Sequence, residues 1–387
     1  MPIYPIKDEK GKTIKYRVDI NYKDENGNYK RITKMNKNTT TLAGAKKLEH
    51  QLLQELNCLK SDNITYQELY EEYMTVKKTE IKFTTLGKTE MNQRLYILPY
   101  FAKKNIDEIT TKDVQRWKLE IEKKGLAHQT KNNIFSSLRA VLGFGVKFHS
   151  LPTNPAIACG NFVNKEYKKD KLNYWTLEEF TLFNNQLKEI CVEKEKNNDI
   201  DTFIYWGYYT LFNILFYAGL RKGEAQALKW TDYDPITKAL SVTKSIAQKQ
   251  KDAPWVITTP KNRSSVRTIK ISNKLCTILN EQLERYRDKV YLFDEKDPTW
   301  FICGGLEPLR NTSVENIFKD NTTAANLKTI RIHDLRHSFA SLLVNGGIDI
   351  KIIAELMGHA KVDLTWNLYS HLYPNAQDKA TSYIDSL

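Results

Sequence analysis

The sequence predicts a mainly α-helical chain carrying small β elements, arranged in three regions. Three observations predict it: strict alternation over residues 14–22, helical periodicity across 63–150, and capped helices interrupted by one β-rich insert after residue 174. At roughly 150 residues per domain, a chain of 387 residues has room for two or three domains.

The elements follow in order. Residues 14–22 place Tyr16, Val18, Ile20 and Tyr22 on one face of a strand. Asn26-Gly27 is a hairpin signal, and Tyr29-Lys30-Arg31-Ile32 begins the return strand. Residues 3–7 are expected to add a third strand, with a turn near Gly11. Thr41 then opens a helix in which Ala45, Leu48, Leu52 and Leu56 recur at helical spacing. The first region, 1–60, is therefore a basic three-stranded sheet with one helix.

Residues 61–160 read as a helical bundle. Thr65-x-x-Glu68 is a capping box before Leu69, Tyr73 and Val76. A second helix is expected near 86–102, with Met91, Leu95 and Leu98 inward. A third follows Thr111 through Val114, Trp117 and Ile121, and a fourth covers 129–148. Pro152 and Pro155 end the bundle, and the charged run 165–171 falls in an exposed linker set at 161–173. From 174 to 387, Thr176-x-x-Glu179 caps the first helix, and the β insert spans about 239–271. Helices are expected near 273–289, 313–325, 334–345, 350–357 and 363–371.

Charge narrows the function. Lys and Arg number 59 against 46 Asp and Glu, a net charge of +13. Residues 1–60 and 61–171 contribute +6 each, and the remaining residues only +1. A polyanion held by the N-terminal half is the functional reading, and a solvated basic surface is the plain one. No apolar run reaches the roughly 18 residues of a membrane span, and Met1-Pro2-Ile3-Tyr4 lacks a signal-peptide core, so a cytoplasmic location is expected. The five cysteines show no C-x-x-C pair, and no phosphate-binding loop or H-E-x-x-H motif occurs. Neither a metal nor a nucleotide cofactor is indicated.

Five segments carry candidate chemistry: Ala218-Gly219-Leu220-Arg221-Lys222-Gly223-Glu224, Thr259-Pro260-Lys261, His333-Asp334-Leu335-Arg336-His337, Leu356-Met357-Gly358-His359, and Thr365-Trp366-Asn367-Leu368-Tyr369-Ser370-His371. Singly, each has an ordinary structural reading. Arg221 can pair with Glu224, Arg336 can be a surface ion pair, and Gly358 can end a helix. Taken in order, the set resembles the active-site series of the tyrosine recombinases, the phage integrase family. The resemblance covers 174–387 as the catalytic domain and, more loosely, the bundle as a core-binding domain. Residues 1–60 resemble the arm-type DNA-binding domain of integrases from temperate phages and integrative conjugative elements.

The resemblance implies a site-specific recombinase that cuts and rejoins DNA through a 3′-phosphotyrosyl link, as a homotetramer on core and arm sites. An excisionase and a host DNA-bending protein would be its accessory partners. Arg221 and Arg336 would grip the nonbridging phosphate oxygens, and His333 and His359 would hydrogen-bond to that phosphate or exchange a proton. Tyr369 would attack, and Lys261 would protonate the departing 5′ oxygen. Such chemistry requires neither metal nor ATP. A chromosome-dimer resolvase of the same chemistry is the alternative among enzymes, and a catalytically silent DNA-binding regulator the alternative outside them.

Several residues keep two readings. Glu224 either orients the site or caps a helix, and His371 either belongs to a Tyr-x-His pattern or lies on the surface. His337 reads as structural, and Tyr373, four residues beyond Tyr369, as a decoy. The family commonly has Thr after the lysine where this chain has Asn262, which makes Arg263 and Arg267 rival cations. Lys15, Arg17, Lys30 and Arg31, facing outward from the sheet, and Lys131 and Arg139 on the bundle, are the expected DNA contacts. Tyr383 and Ile384 are expected to dock on a neighbouring protomer.

Overall fold

The computed structural model describes residues 3–9, 11–23, 29–55, 64–81, 83–164, 173–247, 255–259, 263–293, 300–372, 381 and 384–386. The chain forms two compact units, Met1–Lys168 and Lys169–Leu387.

The first unit opens with an antiparallel sheet of β1 (Ile3–Lys7), β2 (Thr13–Lys23) and β3 (Tyr29–Lys34), ordered β1-β2-β3. Alternation along β2 buries Val18 and Ile20 against Ala45, Leu48 and Leu52 of α1 (Leu42–Glu55), as the periodicity predicts. Thr41 accepts the Gly44 N–H at 3.1 Å, so the helix starts where its cap predicts. Asn26-Gly27 and Leu56 lie outside the described residues.

A second, separate core belongs to the bundle of α2 (Tyr66–Glu80), α3 (Phe83–Asn92), α4 (Leu98–Phe101), α5 (Thr111–Lys123), α6 (His128–Phe148) and the short α7 (Pro155–Cys159). The predicted helix over 86–102 is not one regular element. A π-helical segment at Gln93–Ile97 separates α3 from α4, and the wider turn resets the helical phase. Ile97 and Phe101 therefore face the core, while Met91 and Leu95 are exposed, against the expected inward face. Gln93 is buried by the shift and is satisfied inside: its amide donates to the Ser137 carbonyl, and its carbonyl accepts from the Tyr66 hydroxyl at 3.1 Å. Val76 is likewise exposed.

The second unit is built around α9 (Thr202–Ala218), which follows α8 (Leu177–Lys196) and is buried on nearly every side. An all-round apolar helix has no amphipathic stripe, so it must run through the core. After α9 come α10 (Lys222–Ala227), then β4 (Tyr233–Asp234) and β5 (Ala239–Val242), which form a sheet with the later β8 (Arg267–Lys270). Between β5 and β8, β6 (Ser245–Ala247) and β7 (Val256–Thr258) pair as a separate ribbon. The helices α11 (Asn273–Phe293), α12 (Asn311–Ala324), α13 (Asp334–Asn345), α14 (Ile350–Met357) and α15 (Val362–Tyr369) complete the unit. A satellite core of Phe339, Val344, Ile353, Met357 and Tyr369 joins the last three. Among the described residues, no helix is long and apolar enough to cross a membrane.

Candidate active site

Two helix C-termini build the site. The helix α9 ends at Gly219 (φ +62), and α14 ends at Gly358 (φ +65), both left-handed. Glycine is needed at the first for a second reason: a Cβ there would lie 2.2 Å from the Phe339 ring. Such ends leave carbonyls without intrahelical partners. Here arginines supply the donors.

Arg336, 2% exposed, donates through Nη1 to Gly219 O at 2.8 Å and through Nη2 to Met357 O at 2.6 Å. Arg267 donates through Nε to Leu356 O at 2.8 Å, and Arg221 through Nη2 to Gly358 O at 3.3 Å. The negative ends of the two helices thus hold three guanidiniums. Arg336 is buried, and the surface-pair reading of it is corrected. Burial, then the charge of Arg221, pull its pKa down to about 9, so it stays cationic at neutral pH.

Glu224 lies among these cations, 2% exposed. One oxygen accepts from Arg221 Nη1 at 2.6 Å; the other accepts the Arg221 backbone N–H and Arg267 Nη2, both at 3.1 Å. Burial works to raise its pKa, yet Arg267 and Arg221 hold it below the usual carboxylate range. Glu224 thus caps α10 and pairs with both Arg221 and Arg267.

The imidazoles come from the start of α13 and the end of α14. His359 Nδ1 meets Thr365 Oγ at 2.7 Å, which sets the ring orientation. Burial and the charges of Arg336 and Arg221 pull its pKa down to about 4. His333 precedes α13 and is also shifted down, by loss of water and by Arg336. Tyr369, the last residue of α15, is fully buried, and burial pushes its phenol pKa up. Its hydroxyl is hydrogen-bonded to Nδ1 of His337. His337, whose ring stands edge-on to His333 at 5.4 Å, is pulled down to about 4 by burial and by His333. A neutral imidazole can accept a phenol proton at a bare Nδ1. His337 therefore has a partner in the site, which the sequence reading missed; its place one helical turn after His333 was the available signal.

Arg221, His333, Arg336, His359 and Tyr369 come together as the motif order anticipates. Lys261 and Tyr373 lie outside the described residues, as do Tyr383 and the His371 side chain. Arg267, one of the two rival cations, is tied into the framework.

The expected DNA contacts in the first unit are not gathered into one surface. Arg17 and Arg31 both pair with Asp19, and Arg17 also lies over the Tyr4 ring. Lys30 pairs in register with Tyr22 and so shares the face of Ile20 and Ile32, opposite Arg31. Consecutive strand residues point to opposite faces, so the four sheet cations cannot all face outward together. Lys15 is exposed on the Arg17 face. On the bundle, Lys131 pairs with Glu122, whereas Arg139 is exposed.

Family models match the described architecture. Residues 182–376 match the model of the phage integrase family, and residues 65–120 the phage integrase N-terminal SAM-like domain. The chain belongs to the phage integrase family. It is 28% identical to the ICEBs1 integrase of Bacillus subtilis (strain 168) over 390 residues, covering 96% of this chain and 97% of that protein. Two solved structures share the fold. The Tn1549 transposon integrase bound to transposon right-end DNA aligns with a TM-score of 0.63 at 21% identity, over 84% of this chain and 99% of that one. A lambda integrase tetramer bound to a Holliday junction aligns with a TM-score of 0.51 at 15% identity, over 94% of each chain.

Proposed function

We propose that the chain is an integrase that inserts and excises a mobile element by cutting and rejoining DNA through Tyr369. The observation that carries this reading is the convergence of Arg221, Arg336, His333 and His359 around a buried tyrosine, on a framework that orients cations without neutralising them all. Arg221 and Arg336 offer guanidiniums to the nonbridging oxygens of a phosphodiester. His359, with Nδ1 held by Thr365, offers Nε2 to the same phosphate. The Tyr369 oxygen attacks phosphorus in line and passes its proton to a neutral imidazole of the site, the phosphorus–O5′ bond breaks, and the 5′ oxygen takes a proton from Lys261. The 3′-phosphotyrosyl link conserves the bond, so a 5′-hydroxyl of a partner strand can reverse the step. In the free protein the phenol is protonated and bonded to His337, so DNA binding has to release it before attack.

In this reading residues 1–60 form an arm-type DNA-binding domain, 61–160 a core-binding domain, 161–173 a linker and 174–387 the catalytic domain. The separate cores of the first unit support the first division. The working form is a homotetramer on two duplexes, assisted by an excisionase and a host DNA-bending protein. The donor set is guanidinium and imidazole, with the buried carboxylates Glu224 and Asp334 already paired with arginines, so cleavage needs neither divalent metal nor ATP.

A suicide core-site substrate, nicked so that the cleaved strand is lost, tests the reading. Wild-type protein should accumulate a covalent adduct in excess EDTA, and Tyr369→Phe should form none while binding duplex within a few-fold. Activity lost to chelation and restored by magnesium would contradict the mechanism. Lys261→Ala should slow cleavage severely and regain much of the rate on a substrate with bridging 5′ sulfur, because a thiolate leaves without a proton. Sulfur rescue of Arg267→Ala in place of Lys261→Ala would misassign the acid.

A further inference from the structure

We propose that Arg267 is the positioning residue of this site: it locks the Arg221 side chain and the turn bearing His359 into one rigid unit, without itself touching the phosphate. The inference rests on the recombinase reading above. Its basis is the way one side chain of the insert joins two motif segments far apart in sequence. Nε donates to Leu356 O at 2.8 Å, in the last turn before Gly358-His359. Nη1 donates to Ser265 O at 3.0 Å, in its own insert, and Nη2 to Glu224 Oε2 at 3.1 Å, beside Arg221. Each of the three guanidinium nitrogens therefore donates to the framework.

Exposure separates the two arginines that share Glu224. The Arg267 side chain is 8% exposed, against 35% for Arg221. Arg267 is the more enclosed of the two, and its bonds run to the framework on three sides. Ser265 closes the arrangement, since its hydroxyl accepts from Arg221 Nη1 at 3.3 Å while its carbonyl takes Arg267. The packing leaves no slack at Gly358 either, where a Cβ would stand 3.0 Å from Arg267 Nη1. Without Arg267, Glu224 would be held by Arg221 alone, through Nη1 and the backbone N–H, with no tie to the insert or to α14. A second cation on its other oxygen fixes the carboxylate plane, and with it the direction of the Arg221 fork. The same guanidinium anchors the last turn of α14, which sets where His359 starts.

Lysine cannot replace this residue. An ammonium has the charge but lacks the planar fork that reaches three acceptors in fixed directions. A misplacement of about 1 Å at a reacting phosphate can cost on the order of 10²-fold in rate.

The test is single-turnover adduct formation by the full-length chain on the suicide core-site substrate. Binding is measured on an intact duplex, and melting temperature is followed alongside. Arg267→Lys and Arg267→Gln should each slow adduct formation on the order of 10²-fold. Duplex Kd should stay within about threefold, because no phosphate contact is removed. In an Arg221→Lys background, whose fork is already lost, adding Arg267→Gln should cost clearly less than it does in the wild-type background, since only its hold on the His359 turn is left to lose. Equal losses in both backgrounds would overturn the proposal, as would a wild-type rate for Arg267→Gln. Unfolding of both variants would make Arg267 a stability residue and overturn it too. Failure of wild-type protein to form any adduct would instead strike the recombinase reading, so the two failures are distinguishable.

Discussion

The arginines of the N-terminal sheet and those of the second unit are held in opposite ways. Arg17 and Arg31 share one carboxylate, Asp19, on a sheet face where their side chains remain 42% and 58% exposed. Arg221 and Arg267 also share one carboxylate, Glu224, whereas Arg336 donates to carbonyls, and all three arginines reach carbonyls at the ends of α9 and α14. A carboxylate cancels a positive charge; a helix C-terminus orients it and leaves most of it available. The first arrangement yields a quiet surface, and the second a focused positive field.

The largest break in this comparison should come from Arg336→Met. It removes a cation from the site and leaves the Gly219 and Met357 carbonyls buried without their donor, at roughly 1–3 kcal/mol each. Adduct formation should fall at least about 10³-fold, by the usual worth of a preorganised charge at a transition state. Denaturant unfolding should show the accompanying stability loss.

Next in size is Gly219→Ala, which forces a Cβ into the Phe339 ring at a left-handed position. Strain and overpacking together should cost about 3 kcal/mol, read as a lower unfolding midpoint. The turn also carries Arg221, so cleavage should fall with stability. A variant as stable as wild type would show that this corner is not built as described.

Acid should produce a smaller effect. His337 and His359 both have pKa values pulled down from 6.5 to about 4 in the folded chain. The unfolded chain therefore binds more protons between those limits, and stability falls as pH drops from 6.5 toward 4. Thermal melts across that range should show the slope, and His337→Asn should flatten part of it.

The smallest effect concerns the quiet surface. Asp19→Asn releases Arg17 and Arg31 from their carboxylate, so nonspecific duplex binding should tighten a few-fold. Its salt dependence should steepen by roughly 0.9 log units for each phosphate newly contacted. Unchanged binding and slope would mean that this face does not meet DNA.

Much of the architecture was legible because it depends on local rules. The alternation in β2, the capping boxes at Thr65 and Thr176, and the glycine at 358 each act within a few residues. Other features were not legible, for two physical reasons. The π segment at 93–97, directly ahead of Pro99 in α4, resets phase, so periodicity drawn through it placed Met91 and Leu95 on the wrong face. The bonds of Arg267 to Glu224 and of His337 to Tyr369 span 43 and 32 residues, a separation no local pattern encodes. The opposite faces of Lys30 and Arg31 were readable from strand period alone, and the expectation of one outward set overlooked it.

The central claim is that this framework exists to direct a phosphodiester onto one buried phenol. Mass spectrometry of the peptide left attached to DNA after trapping on the suicide substrate tests it most directly. The account predicts a phosphotyrosyl modification at Tyr369, absent from Tyr369→Phe and still present, though slower to form, in Arg267→Gln. A modification mapping to Tyr373, or to any residue outside α15, would contradict it.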